Sequence, residues 1–191
     1  MGAMKKQIII SAVVAAVLTV VLVGMALSLL RNGPGDAGED AAAPREDSVA
    51  QVAQRPDCPA GPVAGVDLPC LGGGTGGEFS EVSVVNLWAH WCIPCRAELP
   101  IMAQAAEAHP EWTVVGVHAD KNSPAGADLL NELDSPLPSF EDTSNLFAGT
   151  LGLPRVIPIT VIVQDGEMVG QYAKEFTSVE EIEAAVAESV S

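Results

Sequence analysis

The segment VVNLWAHWCIPCRAELP, from Val84 to Pro100, carries two cysteines separated by two residues at the point where an apolar run ends. The run before them, Val82 to Trp88, is rich in β-branched residues, which is typical of a buried strand. The segment after them, Cys92 to Ala108, has apolar residues at spacings that share one face of a helix. Cys92 and Cys95 are therefore predicted to lie at the junction of a strand and a helix.

Three kinds of chemistry are open to such a cysteine pair. A structural zinc site takes four ligands, usually from two cysteine pairs, but the other cysteines, Cys58 and Cys70, are twelve positions apart. A purely structural disulfide between such close neighbours constrains little chain. A reactive dithiol fits best, because a thiol at a helix N-terminus faces unpaired N–H groups and the positive end of the helix dipole, and both favour the thiolate.

The positions of the two cysteines predict different roles for them. Cys92 lies at the start of the predicted helix, so we expect its pKa to fall below the free value of about 8.5. Cys95 lies one turn further in and is more shielded. We therefore expect Cys92 to attack a disulfide in a partner and Cys95 to resolve the mixed disulfide. Pro94 fits the first helical turn, where no backbone donor is needed, and stiffens the loop.

The rest of the C-terminal region alternates between strand and helix patterns and predicts one α/β domain. Further strands are predicted at 112–117, 159–163 and 168–172, and further helices at 124–133, 144–151 and 178–189. The pair Asp165-Gly166 favours a hairpin between the last two strands. Ser178 and Glu181 form a capping box at the start of the last helix.

The N-terminus predicts a membrane anchor. Residues 8–30 form a 23-residue run without a formal charge, after Lys5 and Lys6. A helix of that length is about 35 Å long and crosses a bilayer core. A cleavable signal peptide has an apolar core of only about 7–15 residues, so cleavage near Ala41–Ala43 is the alternative. The lysines favour a cytoplasmic location for residues 1–7, which makes this a single-pass protein of the cell membrane with the remainder outside the cytoplasm, where disulfides persist.

Charge and composition limit what the remaining segments do. The chain has 191 residues with 9 basic and 25 acidic side chains, a net charge of −16. Nucleic-acid binding is disfavoured, because a phosphate backbone needs a basic face. Residues 31–57 are rich in Gly, Ala, Pro and acidic residues and predict a flexible acidic tether. The folded domain is predicted to span 58–191 and to open with a loop that carries Cys58 and Cys70.

The cysteine segment resembles a known family. NLWAHWCIPCRAELP, from Asn86 to Pro100, is similar to the active-site segment of the membrane-anchored extracytoplasmic thioredoxins, the TlpA-, ResA- and CcmG-like proteins. Their form is Trp-Ala-x-Trp-Cys-x-Pro-Cys followed by Arg/Lys-x-Glu-x-Pro. The resemblance implies a thioredoxin fold, with a central mixed β-sheet flanked by helices. It also implies thiol–disulfide exchange, with no cofactor beyond the Cys92–Cys95 pair.

The resemblance implies partners as well. Many relatives reduce a disulfide in apocytochrome c before haem attachment, or other oxidised thiols, and draw electrons from a transmembrane thiol carrier. The expected function is therefore reduction of disulfides in partner proteins. A disulfide-forming oxidant is the alternative, against which Pro94 argues mildly by its resemblance to the loop of thioredoxin. A copper-delivering protein with His118 as a ligand is a third possibility, and otherwise no metal site is expected.

Further site residues follow from the resemblance. Glu98, one turn beyond the second cysteine, matches a Glu that tunes the thiols in relatives and passes on a proton; the alternative is a solvated surface carboxylate. Asn86 stands where classical thioredoxin has a buried acid, which makes Glu98 the better proton group. Pro158 maps onto a cis-proline opposite the cysteines, the alternative being a trans proline at a strand start. Ile157 would then present its backbone to a partner peptide, and Trp91 would shape an apolar docking surface.

Cys58 and Cys70 depart from the minimal family pattern. In an oxidising compartment we expect them to form a structural disulfide; the alternatives are a second redox pair that relays electrons to Cys92–Cys95, a zinc site, or unpaired thiols. His90 lies two residues before Cys92. It would lower the pKa of that thiol if protonated, or it is an exposed loop histidine with little effect.

Overall fold

The computed structural model describes residues 51–190. The elements of this range are, in order, β1 (Cys58–Ala60), β2 (Thr75–Glu78), β3 (Val82–Trp88), α1 (Ile93–Ala108), β4 (Thr113–His118), α2 (Ser123–Glu132), β5 (Ser139–Glu141), α3 (Leu146–Leu151), β6 (Ile159–Gln164), β7 (Glu167–Tyr172) and α4 (Val179–Ser189). The main sheet has the order β5-β4-β3-β6-β7. Strands β3, β4 and β5 are parallel, whereas β6 and β7 pair antiparallel. The predicted mixed sheet flanked by helices is therefore confirmed.

Strand β3 lies at the centre of the sheet and feeds both hydrophobic cores. Val84 and Trp88 belong to the core that α1, α2 and α4 cover, while Val85 and Leu87 belong to the core on the other face. This alternation follows the two-residue period of a strand. Because β3 is buried on both faces, its sequence is an apolar run, and its end is held firmly where the cysteine segment begins.

Helix starts follow local capping chemistry. The Oγ of Ser178 accepts a hydrogen bond from the backbone N–H of Glu181 at 3.4 Å, as the capping box predicts. Helix α3 begins at Leu146, two residues later than predicted. The carboxylate of Asp142 accepts the backbone N–H groups of Leu146 and Phe147, at 2.8 and 2.9 Å. The cap therefore comes from upstream of the helix, and this fixes where it starts.

The segment predicted as a loop before the core is more ordered than expected. Strands β1 and β2 pair with each other in parallel. Leu71 N–H donates to the carbonyl of Ser139 on β5, and Glu141 N–H donates to the carbonyl of Pro69, both at 2.8 Å. Residues 69–71 thus extend the edge of the main sheet beside the second cysteine of this segment.

The boundary predicted between tether and domain at residue 57 lies too late. Val52 and Ala53 pack against the hydrophobic core, and the N–H of Arg55 donates to the carbonyl of Gly72 at 2.9 Å. Residues 51–57 are therefore part of the folded domain. The predicted anchor at 8–30 and most of the predicted tether lie outside the described residues. Within 51–190, no helix is both long and apolar enough to cross a membrane.

Candidate active site

The two cysteines of the quoted segment form a disulfide at the start of α1. The sulfurs of Cys92 and Cys95 are 2.04 Å apart, and the Cα atoms are 5.2 Å apart. Cys92 is the N-cap residue of the helix, and its sulfur accepts the backbone N–H of Cys95 at 3.2 Å. This N–H is one of the orphan donors of a helix N-terminus, so it also favours a thiolate at this position when the disulfide is reduced. Cys92 retains 5% of its surface, whereas Cys95 is fully buried.

Two prolines shape the helix that carries the site. Pro94 lies in its first turn, as predicted. Pro100 lies inside α1, and the helix continues past it to Ala108. The proline removes one backbone hydrogen bond of the helix, the kind of position at which helices bend.

Glu98 is buried beneath the cysteines, which contradicts the alternative of a solvated carboxylate. One of its oxygens accepts the side-chain N–H of Asn86 on β3, and the other accepts the backbone N–H of Phe176, both at 2.8 Å. Asn86 also donates to the hydroxyl of Thr160 on β6 at 3.2 Å. Strand β3 therefore supplies an amide, Asn86, where classical thioredoxin has an acid, and this amide holds the carboxylate of Glu98 on α1 in place.

Burial dominates the ionisation of Glu98. Desolvation raises its pKa from 4.5 to about 7, against the opposing effect of the two hydrogen bonds from Phe176 and Asn86. The charge of Glu175 raises this pKa further, and Lys174 lowers it. A carboxyl group with a pKa near neutrality both releases and accepts a proton under ordinary conditions. It lies one helical turn beyond Cys95 and is buried as Cys95 is.

A groove lined by Trp91, the residue before Cys92, opens next to a cis peptide bond. The bond between Ile157 and Pro158 is cis. Ile157 is half-buried and lines an open groove of about 780 Å³ together with Leu87, Leu153, Val156 and Trp91. Trp91 is 60% exposed. Of the four residues predicted for partner docking, Trp91 and Ile157 line this groove, whereas Pro94 and Pro158 do not.

Two residues at and just after the end of β4, His118 and Asp120, lie beside the site, although the sequence considered His118 only as a copper ligand and gave Asp120 no role. Asp120 accepts the indole N–H of Trp91 at 3.0 Å. His118 is fully buried, with its Nε2 atom 3.3 Å from the Nδ1 atom of His90. The parallel pairing of Trp88 with His118 carries β4 alongside the end of β3. The sequence predicts β3 and β4 as strands but does not predict which of their residues pair. Neither His118 nor Asp120 lies in a motif.

Cys58 and Cys70 form a second disulfide, with Cα atoms 5.6 Å apart. Cys70 forms an isolated β-bridge with Phe140 of β5. Phe140 pairs with Val117 of β4, and Val117 pairs with Leu87 of β3. Three strand spacings of about 4.8 Å separate Cys70 from the central strand. The second disulfide therefore lies at the edge of the sheet, away from Cys92–Cys95. This location favours a structural role, because thiol–disulfide exchange needs direct contact between sulfurs.

The residues that could hold a metal are few. Within residues 51–190, no group of three or more His, Cys, Asp or Glu side chains is arranged to bind a metal ion. His118 faces His90 and the ring of Trp88, whose centroid is 4.7 Å from its own. These neighbours of His118 do not form a set of three metal ligands, so the described part of the chain gives the copper hypothesis no support.

Known proteins with similar sequences and structures are redox proteins. No family model matches the chain. It is 29% identical over 95 residues to the thiol-disulfide oxidoreductase ResA of Bacillus thuringiensis, which covers 49% of this chain and 55% of ResA. It is 36% identical over 72 residues to the thiol:disulfide interchange protein DsbE of Pseudomonas aeruginosa, 37% of each chain. The chain thus spans about half, or less, of the length of these relatives.

A solved structure extends the comparison to the fold. MTB DsbF, determined in mixed oxidised and reduced forms, is 25% identical to this chain, with a TM-score of 0.54. The match covers 63% of this chain and 92% of DsbF. The oxidoreductase resemblance of the cysteine segment is confirmed. The chain is a homologue of the ResA- and DsbE-type thiol-disulfide oxidoreductases, and its described part has the thioredoxin fold.

Proposed function

We propose that this protein is an extracytoplasmic thiol–disulfide oxidoreductase that reduces disulfides in partner proteins. The observation that carries the proposal is the Cys92–Cys95 disulfide at the N-terminus of α1, in which Cys92 caps the helix through its sulfur. The two sequence relatives, a thiol-disulfide oxidoreductase and a thiol:disulfide interchange protein, support the same chemistry.

The reaction follows from the positions of the two sulfurs. In the reduced protein, the Cys92 thiolate attacks one sulfur of the partner's disulfide. A mixed disulfide forms, and one partner thiolate leaves. The Cys95 sulfur, once deprotonated, attacks the Cys92 sulfur and displaces the second partner thiolate. Two electrons have then passed to the partner, and the protein holds the disulfide described above.

Glu98 is the group suited to take the proton of Cys95. It lies one turn further along α1 and is buried, as Cys95 is. Its pKa of about 7 allows it to be ionised before the second step and protonated after it. A protonated Glu98 also removes a negative charge that would otherwise oppose a neighbouring thiolate.

The partner is expected to dock as an extended segment across the apolar groove. Ile157, which precedes the cis-proline Pro158, and Trp91 both line this groove. A short extended peptide supplies backbone hydrogen bonds by strand addition and apolar side chains for the groove. Such recognition is tolerant of sequence, which suits a reductant that serves several partners.

The cellular setting belongs to the same proposal. An anchor at residues 8–30 would hold the domain at the outer face of the cell membrane. The Cys58–Cys70 disulfide supports an oxidising compartment. A transmembrane thiol carrier would return electrons to Cys92–Cys95, and apocytochrome c is a candidate substrate.

Two measurements test the proposal. The reduction potential of Cys92–Cys95 should lie near −270 mV, as for thioredoxin, whereas a value near −120 mV would make the protein an oxidant. In cells, Cys95→Ser should accumulate partners as mixed disulfides on Cys92, and Cys92→Ser/Cys95→Ser should accumulate none. Accumulation with Cys92→Ser but not with Cys95→Ser would reverse the assigned roles of the two cysteines.

A further inference from the structure

We propose that Arg155 selects which partner segments the groove accepts, by pairing with a carboxylate side chain close to the partner's cysteine. The preferred substrates are then disulfide-bonded proteins in which an Asp or Glu lies within a few residues of the attacked cysteine. The inference rests on the proposed function, because it names the chemistry of the segment that docks beside Cys92.

The exposed apolar side chains gather at this face of the domain. Within residues 51–190, six large apolar side chains are exposed, and four of them belong to or adjoin the groove and the cysteine pair: Trp91, Ile93, Leu146 and Val156. Exposed apolar side chains that cluster in this way mark a surface that binds another molecule. Their position beside the reactive disulfide makes the bound molecule a substrate segment.

Arg155 alone is charged among the described residues that line the groove. Its side chain is exposed, and it takes part in no salt bridge within the described range, whereas Arg96 pairs with Glu132 at 3.0 Å and Lys174 with Glu181 at 3.3 Å. The whole chain carries 25 acidic and only 9 basic side chains. A groove whose single charge is positive therefore runs against the composition of the protein and complements a negative charge on its occupant.

The acidic side chains nearest to the lining residues in sequence are already engaged. Two lie within three positions of a lining residue, Asp120 and Asp142. Asp120 accepts the indole N–H of Trp91 at 3.0 Å. Asp142 accepts two backbone N–H groups at the start of α3, at 2.8 and 2.9 Å. Both carboxylates are thus held by N–H donors, and Arg155 is left to bind a carboxylate that the partner supplies.

The distance from Arg155 to the cis-proline limits where that carboxylate lies. Arg155 precedes Ile157 by two residues, so their Cα atoms are at most about 7 Å apart. The partner's cysteine is proposed to dock against the backbone of Ile157. Since an extended segment advances about 3.3 Å per residue, a side chain about two to four residues from that cysteine reaches the guanidinium group. A guanidinium binds a carboxylate through two parallel hydrogen bonds, which adds geometric selectivity to the charge.

Reduction of short peptides tests the inference. Each peptide carries one cysteine as an uncharged pyridyl disulfide, an apolar residue beside it, and Glu, Gln or Lys three residues away. The Cys92 thiolate of the reduced full-length chain, in a neutral detergent, attacks the peptide sulfur and displaces thiopyridone, whose absorbance gives the rate. Cys95 then attacks Cys92 and releases the peptide as a thiol. Dividing each rate by the rate with dithiothreitol removes the intrinsic reactivity of the peptide.

The wild-type protein should react about two- to fivefold faster with the Glu peptide than with the Gln peptide, and most slowly with the Lys peptide. High salt should shrink the difference. Arg155→Gln should remove the preference, and Arg155→Glu should reverse it. Lys121→Gln is the matched control, because Lys121 is also exposed and without a salt bridge in the described range but does not line the groove. This variant should keep the wild-type preference.

Three outcomes overturn the inference. Equal normalised rates of the wild-type protein with all three peptides would show that the groove does not select for charge. A loss of preference in Lys121→Gln as large as that in Arg155→Gln would show a general effect of net charge. Self-association of the oxidised chain in sedimentation, abolished by Arg155→Glu, would make a second copy the occupant of the groove. A wild-type protein that reduces none of the peptides and no protein disulfide would instead refute the proposed function itself.

Discussion

Replacing Glu98 by glutamine should make the protein more stable at neutral and alkaline pH but not at acidic pH. The carboxyl is fully buried, and its pKa is about 7 against an ordinary 4.5. Between those two pH values the unfolded chain has released this proton and the native protein retains it. The free energy of unfolding therefore falls as pH rises through this window and changes no further above it. At about 1.4 kcal/mol per pKa unit, the full difference is about 3 kcal/mol.

The site can accept the neutral side chain with little rearrangement. The Oδ1 atom of Asn86 is buried without a partner within the described residues, while its amide nitrogen donates to Glu98. Rotating the Asn86 amide would let Oδ1 accept the new N–H of a glutamine at position 98. The oxygen of that glutamine would still accept the backbone N–H of Phe176, which Glu98 binds now. The expected gain is therefore the relief of burying a charge.

Urea unfolding of the oxidised protein at pH 5, 6, 7 and 8 measures this effect. Glu98→Gln and the wild type should differ little at pH 5, and the variant should gain up to about 3 kcal/mol at pH 8. Glu107→Gln changes an exposed carboxylate on the same helix and should give no such pH-dependent difference. An equal difference between Glu98→Gln and wild type at every pH would show that ionisation of Glu98 is not the cause.

Two further changes have outcomes fixed by the structure. Replacing both Cys58 and Cys70 by serine should lower the free energy of unfolding by about 3 kcal/mol, through the freed loop, and leave disulfide reduction by the protein unchanged; a parallel loss of exchange rate would favour the relay instead. Gly126→Ala should destabilise the protein despite a helix-propensity gain of about 1 kcal/mol, because the added Cβ meets the ring of His118. Gly149→Ala on α3, with nothing within 4 Å of the added atom, is the matched control and should not destabilise it.

The elements predicted correctly are those whose signals are local. Strand β3 is a long β-branched run, and α1 repeats its apolar residues with helical period, so each was visible within its own segment. The short strands β1, β2 and β5 were missed. They have three or four residues each, and long-range pairing defines them, such as the bond from Leu71 to Ser139. A run that short carries no measurable period.

The site divides in the same way. The spacing from Cys92 through Cys95 to Glu98 follows one helix and could be taken from the sequence. The burial of Glu98 could not, because the backbone N–H that holds it belongs to Phe176, 78 residues away. His90 and His118 are 28 residues apart and meet only because β4 pairs with β3. Sequence spacing thus predicted the reacting groups, whereas the groups that tune them depend on the tertiary structure.

The helix N-terminus and Glu98 act on the reduced site in opposite directions. The helix N-terminus favours the thiolate of Cys92 through backbone N–H groups alone. Glu98, when ionised, opposes a second negative charge nearby. It therefore limits how far the reduced form is stabilised. A couple whose reduced form gains little stabilisation gives up its electrons readily, as a reductant must. The strong oxidants of this chemistry owe their potential to a strongly stabilised thiolate, so the carboxylate of Glu98 argues for electron flow toward the partner.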